Sequence, residues 1–224
     1  MVAIGGPDDR LDYIVYGVAG ASRLSDGRLV VASQRASQIK YFSASGEHLL
    51  TVGRQGRGPG EFEAILGAFR LPGDSLLVAS RAPGLTWLAP DGSFARSLSV
   101  GIWGIGRHPC RISESSFQSL GDGRLVTTFD ENPGAPGCSA ASEGPYRLTT
   151  LVELQDHQLE RFETLAIVPG TERNGRYYRA FGTQALVAAG GGRVFVGDSG
   201  ADSVAVFDEG SQRFTWRVPF ASRP

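Results

Sequence analysis

A turn followed by a short apolar strand recurs four times in this chain, and this recurrence limits the folds that the chain can adopt. Each copy places Gly or Asp before a run rich in Leu and Val, which is the pattern of a buried β-strand. The copies begin at Gly27, Asp74, Gly123 and Gly192. Further strand-like runs and glycine-containing hairpin turns follow each copy. Every repeat therefore predicts a four-stranded antiparallel unit.

The spacing of the four copies predicts the fold class. The intervals are 47, 49 and 69 residues, and the last is lengthened by an insertion at 130–144 and a loop at 169–182. Four-stranded units at intervals of about 40 to 50 residues are typical of a β-propeller. We therefore expect an all-β protein with an N-terminal edge segment, propeller blades, and a tail that could start a further blade. The expected bounds are 1–17 for the edge segment, 18–53, 64–100, 115–167 and 184–218 for the blades, and 219–224 for the tail.

Two stretches resemble the NHL-type, six-bladed β-propeller superfamily. Residues 56–62, GRGPGEF, resemble its glycine-rich Pro-Gly-x-Phe connection, and residues 194–207, VFVGDSGADSVAVF, resemble its strand–loop–strand core. The resemblance implies six blades, whereas four repeats fit this chain. We therefore expect a divergent bacterial member that is truncated, with about four blades of six and with exposed sheet edges that favour association.

Composition and charge bear on partners and location. The net charge of −1 gives no electrostatic footprint for nucleic acid. No apolar run approaches the length of a membrane span, and the first seven residues lack the pattern of a signal peptide. We expect a protein, peptide or glycan as the partner, and neither nucleic acid nor a membrane span. A periplasmic or extracellular location is predicted for the parent protein, with the cytoplasm as the alternative.

The two cysteines are candidates for a disulfide. In a propeller, Cys110 and Cys138 fall on the same face of the third blade, and a bridge between them closes a loop of 27 residues. Such a bridge would stabilise the fold by about 3 kcal/mol and would indicate an oxidising compartment. Two free buried thiols are the alternative.

The sequence predicts no metal ion and no cofactor. His48, His108 and His157 fall on different sides of the expected blades, so they do not form a zinc site. Asp198 and Asp202 lack the further ligands of a calcium loop, and we expect an aspartate that caps backbone N–H groups. The glycines at 56–60 precede no helix and no Lys-Ser/Thr pair, so they indicate a structural turn.

Arginines and aromatic residues gather on one expected face. In a propeller, the connections from second to third strand and from blade to blade share a face, and the NHL-like superfamily usually binds ligands there. An anionic ligand, such as a peptide carboxylate or an acidic glycan, would suit guanidinium groups at this face. A solvated rim of arginines is the alternative. The predicted ligand-binding residues are Arg35, Arg54, Arg57, Arg81, Trp103, Arg107, Arg176, Tyr177 and Arg179.

Two functional classes follow from these observations. A non-enzymatic ligand- or protein-binding propeller is preferred, because no combination of nucleophile and base is visible and no catalytic residue is predicted. The alternative is a hydrolase or lyase, similar to the propeller lactonases, with metal ligands in a central channel. The expected innermost strands carry only serines, Gln118 and Arg23 as polar residues, which favours the binding class.

Overall fold

The chain forms antiparallel β-sheet throughout its described regions. The computed structural model describes residues 4, 11–99, 111–131, 144–156, 158, 160–175, 177–179, 182–208 and 211–217. These residues contain no α-helix, and their strands form four sheets in which consecutive strands pair. The all-β class and the β-propeller blades predicted from the repeat are confirmed. The chain divides into two compact units, Met1–Ile105 (unit 1) and Gly106–Pro224 (unit 2).

Unit 1 contains sheets I and II. In each sheet the second strand begins after its predicted turn motif. Alternate residues of that strand enter a common core, because side chains along a strand alternate between faces. Val30 and Ala32 of sheet I pack with Leu76 and Val78 of sheet II in this core. The strands of sheet I are β1 (Val18–Arg23), β2 (Leu29–Ser33), β3 (Gln38–Phe42) and β4 (His48–Val52); those of sheet II are β5 (Glu63–Arg70), β6 (Leu76–Ala82), β7 (Gly84–Leu88) and β8 (Phe94–Ser99).

Unit 2 contains sheets III and IV, which share a second core. Val126 and Val152 of sheet III pack with Val194, Val196 and Phe207 of sheet IV. The strands of sheet III are β9 (Arg111–Ser119), β10 (Leu125–Glu131), β11 (Pro145–Gln155), β12 (Phe162–Asn174) and β13 (Tyr177–Tyr178); those of sheet IV are β14 (Ala185–Gly190), β15 (Arg193–Asp198), β16 (Ser203–Asp208) and β17 (Ser211–Arg217).

Sheet III differs from the prediction at its outer edge. The stretch 169–182 was expected to be a loop, but β12 continues to Asn174 and then pairs with the short β13. The continuation occurs because β11 is also long, so that Tyr146 lies opposite Arg173 in the same ladder. A paired partner strand satisfies the backbone groups that a loop would leave to water.

The N-terminal segment is held against sheet I by side chains as well as backbone. Residues 11–17 contain a 3₁₀ turn at Leu11–Tyr13 and form no strand. Lys40, the only lysine of the chain, is buried and donates to the carbonyl oxygens of Leu11 (2.7 Å) and Asp12 (3.1 Å). Burial lowers the pKa of the Lys40 ammonium. These charge-assisted bonds to carbonyls account for a segment that is ordered without strand pairing.

The glycine-rich stretch between sheets I and II is a structural connection. Its last residue, Phe62, is fully buried in the core of unit 1, and its backbone N–H donates to the carbonyl of Arg54 at 2.9 Å. Gly53 has a φ of +87°, and a Cβ at this position would lie 2.5 Å from a carbon of the Phe62 ring. The backbone conformation and the ring contact therefore both require glycine.

Candidate functional site

The described candidate arginines lie at the expected ends of the sheets. We call this end the connection face: it carries the links from second to third strand and from one sheet to the next. Arg35 lies between β2 and β3, Arg81 at the end of β6, and Arg54 and Arg57 between β4 and β5. Trp103, Arg107 and Arg176 lie outside the described residues, as do both cysteines of the expected disulfide.

Three of the candidate arginines are paired with glutamates. Arg54 contacts Glu61 at 2.7 Å, and Arg57 donates twice to Glu63, at 3.0 and 3.2 Å. In unit 2, Arg179 lies 3.3 Å from Glu172. The Gly58 N–H and the Arg54 side chain together lower the pKa of Glu61, which therefore stays ionised. These pairs offset much of the positive charge that the sequence places here.

Arg35 and Arg81 differ from the other described candidates. Both side chains are exposed, and neither forms an ion pair with any described residue. Arg35 lies in the link between β2 and β3 and Arg81 near the end of β6, in sheets that share the core of unit 1. Their guanidinium groups are therefore open to an anion from solvent.

Tyr177 is the remaining described candidate. It lies in the two-residue strand β13, opposite Asn174, and is 80% exposed. An aromatic residue at this exposure can contact a partner, although no other described candidate except Arg179 lies in unit 2.

Unit 2 contains a polar cavity that the sequence analysis did not predict. It has a volume of about 270 Å³ and lies between sheet III and the first strand of sheet IV, toward the connection face. Polar side chains of sheet III form one side, and Gln184 with the start of β14 forms the other. The polar residues are Gln118, Thr128, Asp130, Thr150, Thr171 and Gln184, and the apolar ones are Ala185, Leu186 and Val187.

Asp130 is the charged residue of this cavity. It is 9% exposed, and its Oδ1 accepts a hydrogen bond of 2.6 Å from the Thr150 hydroxyl. No described residue donates to Oδ2. One signal in the sequence could have found this group: Thr128 and Asp130 are polar and two residues apart in one strand, so they share a face. The register then places Thr150 directly opposite Asp130.

Gln118 joins the two sheets beside the cavity. Its Nε2 donates to the carbonyl of Val187 at 2.6 Å, and its Oε1 accepts from the N–H of Ala189 at 2.7 Å. Its polar atoms are therefore engaged with the backbone of β14. Gln118, which the sequence analysis noted as a polar residue of an innermost strand, therefore has a structural role.

The aspartate of the strand connection in sheet IV also has a structural environment. Asp198 Oδ1 accepts from the N–H of Gly200 at 2.8 Å, as the capping interpretation predicted. Its Oδ2 lies 2.6 Å from the Arg147 guanidinium, which also donates to the carbonyls of Pro169 and Gly170. Arg147 thus connects sheet III to sheet IV.

This ion pair predicts an acid-dependent loss of stability. The Arg147 hydrogen bond lowers the pKa of Asp198 below its ordinary value of 3.8, so the pair stabilises the fold above about pH 4 and ceases to do so as pH falls through the folded-state pKa. We expect Asp198→Asn to reduce the free energy of unfolding by about 1 kcal/mol at neutral pH, and the difference to close on acidification. Urea unfolding across this pH range measures it. Asp202→Asn, at an exposed neighbouring position, is the control; parallel curves for Asp198→Asn and wild type would contradict the prediction.

Metal-binding groups and membrane helices were also sought in the described part of the chain. No cluster of three or more His, Cys, Asp or Glu side chains with metal-binding geometry occurs there. His48, the one described histidine, has its Nε2 at 2.8 Å from the Thr51 hydroxyl and contacts the Phe42 ring. Over the same residues, no helix has the length and apolar character to span a bilayer.

Comparisons with known proteins show the fold and no family. No protein-family model and no curated protein matches the chain. Among solved structures, a member of the DUF4221 family from Bacteroides vulgatus aligns with a TM-score of 0.54 and 14% identity, over 95% of this chain and 60% of its own. The Nup133 β-propeller domain of Vanderwaltozyma polyspora gives 0.46 and 8%, over 92% and 63%. Virginiamycin B lyase from Staphylococcus aureus, solved with quinupristin, gives 0.43 and 12%, over 97% and 73%.

Proposed function

We propose that this chain is a non-enzymatic binding domain that recognises an anionic ligand at the connection face of unit 1. The observation that carries the proposal is that Arg35 and Arg81 are both exposed and without an acidic partner among the described residues. A guanidinium group presents a planar set of donors that matches a carboxylate. Two such groups at the connection face of the two sheets of unit 1 suit a ligand with more than one carboxylate.

The paired arginines take a secondary role in this proposal. Arg57 already donates from Nε and Nη2 to Glu63, and Arg54 forms an ion pair with Glu61. An incoming carboxylate would compete with these glutamates, so their contribution to affinity is smaller. They still reduce the repulsion that Glu61 and Glu63 would exert on an anion.

The proposal extends to the type of protein. We assign the chain to a divergent, NHL-like six-bladed class, with about four blades in this chain, and to a periplasmic or extracellular setting. A Cys110–Cys138 disulfide belongs to that setting, and a mass difference between reduced and non-reduced alkylated protein tests it. A lactonase-like hydrolase or lyase is the alternative class, and metal-dependent turnover by the purified protein would replace the binding proposal with it.

The contribution of Arg35 and Arg81 to anion binding can be tested with an acidic peptide. We expect the Arg35→Gln/Arg81→Gln variant to bind a tetraglutamate peptide about tenfold more weakly than wild type, because it loses two charge-assisted contacts. Isothermal titration calorimetry at low salt measures the affinities. A tetraglutamine peptide should not bind.

The matched control removes the same charge elsewhere. Arg161→Gln/Arg193→Gln changes two arginines at hairpin ends of unit 2 and should alter the affinity less than about twofold. Equal losses in the two double variants would show that only the overall charge matters. Unchanged binding by Arg35→Gln/Arg81→Gln would likewise reject the site.

A further inference from the structure

The cavity of unit 2 has a charge opposite to that of the surface formed by Arg35 and Arg81, which we call the arginine face. Among the described residues that line the cavity, Asp130 is the one charged side chain, and none is basic. Arg147, on the neighbouring strand, is engaged with Asp198 and two backbone carbonyls. The Asp130 carboxylate would therefore repel an anion, since no described lining residue compensates its charge, and it would attract a cation.

The Asp130 carboxylate is only half satisfied by the protein. Thr150 donates to Oδ1, and Oδ2 has no donor among the described residues. Oδ2 is not one of the fully buried unsatisfied atoms of the described residues, so a donor in the cavity that Asp130 lines can reach it. A ligand that carries N–H or O–H donors and a positive charge would complete this environment.

The remaining lining narrows the class of ligand. Thr171 and Gln184 offer a hydroxyl and an amide group that can donate to or accept from hydroxyls. On the opposite side, Ala185, Leu186 and Val187 offer apolar surface to a carbon skeleton. The volume of about 270 Å³ is close to the lower end of small-molecule pockets. A small compound with hydroxyls and one ammonium group fits these features together.

We infer that this cavity is a second binding site, distinct from the arginine face, for a small hydroxylated amine of the amino-sugar class. The ammonium group of the ligand binds Asp130 Oδ2. Its hydroxyls exchange hydrogen bonds with Thr171 and with Gln184. Its carbon skeleton packs on the start of β14. The two sites of the chain thus select ligands of opposite charge.

The test compares a charged sugar with its neutral counterpart. At about pH 6, where the amine is protonated, we expect glucosamine to bind at least about tenfold more tightly than glucose, as measured by calorimetry. Asp130→Asn should remove this preference while the Thr150 hydroxyl still donates to the amide oxygen of the new side chain. Glu163→Gln, which removes the same charge at an exposed position of β12, should leave it unchanged.

Three results would overturn the inference. Equal binding of glucose and glucosamine would show that no ammonium group is recognised, and an Asp130→Asn variant that keeps the preference would place the site elsewhere. Absence of binding by either sugar would reject the amino-sugar class. If Asp130→Asn fails to fold, Thr171→Val serves as the second variant, with an expected loss of severalfold. Arg35→Gln/Arg81→Gln should bind glucosamine normally, which separates this test from that of the acidic peptide.

Discussion

Replacing Phe62 with alanine should lower the free energy of unfolding of unit 1 by about 3–5 kcal/mol. The ring is fully buried and packs in the cluster that joins sheets I and II. Deleting it removes the hydrophobic contribution of the ring and leaves a cavity between the two sheets. Urea denaturation followed by circular dichroism, with hydrogen exchange to assign the loss to a unit, measures the effect.

A phenylalanine in the same unit provides the control. Phe94 begins β8 and is 40% exposed, so Phe94→Ala should cost less than about 1 kcal/mol. Gly53 adds an internal check, since its hydrogen atom faces the Phe62 ring. Part of the cost of Gly53→Ala is this clash, so the two substitutions together should cost less than the sum of the single ones. Equal losses from Phe62→Ala and Phe94→Ala would contradict the structural role of Phe62.

The fold could be predicted because its signals are local and repeated. The turn motif at Gly27 and its three counterparts each precede a strand whose alternate residues enter a core, and this relation can be read from a few residues at a time. The outer edge of sheet III could not be predicted in this way. Pro169 and Gly170 indicated a loop, but pairing with the long β11 keeps them in a strand. Tertiary pairing there overrides local propensity.

The candidate sites depend on contacts that the sequence does not display. The arginines could be placed on a face from the propeller topology, but their pairing with Glu61 and Glu63 depends on how the connection turns back on itself. The cavity requires the register of β10 against β11 and the packing of β14 against sheet III. Asp130, Thr150 and Gln184 are distant in sequence, so only the folded chain shows their proximity.

A final prediction concerns the contact between sheets III and IV. Gln118→Met should lower the free energy of unfolding of unit 2 by about 2–3 kcal/mol, although methionine has a similar volume. The Val187 carbonyl and the Ala189 N–H lie on the same side of β14, because residues two apart in a strand present their backbone groups to the same side, and both groups bond to Gln118 of sheet III. The Gln118 amide satisfies both groups, and a thioether would satisfy neither. Urea denaturation measures the loss, and exchange of the Ala189 amide hydrogen should become at least about tenfold faster.

Gln38→Met is the matched control, because Gln38 is a half-buried residue of β3 whose side chain makes no hydrogen bond to the described residues. It should change stability by less than about 0.5 kcal/mol. If both variants lost the same stability, or if the Ala189 amide stayed protected in Gln118→Met, packing alone would hold β14 against sheet III. Since β14 also forms one side of the Asp130 cavity, loss of the Gln118 contact should weaken glucosamine binding as well. A stability loss without that weakening would show that β14 keeps its position through its apolar face.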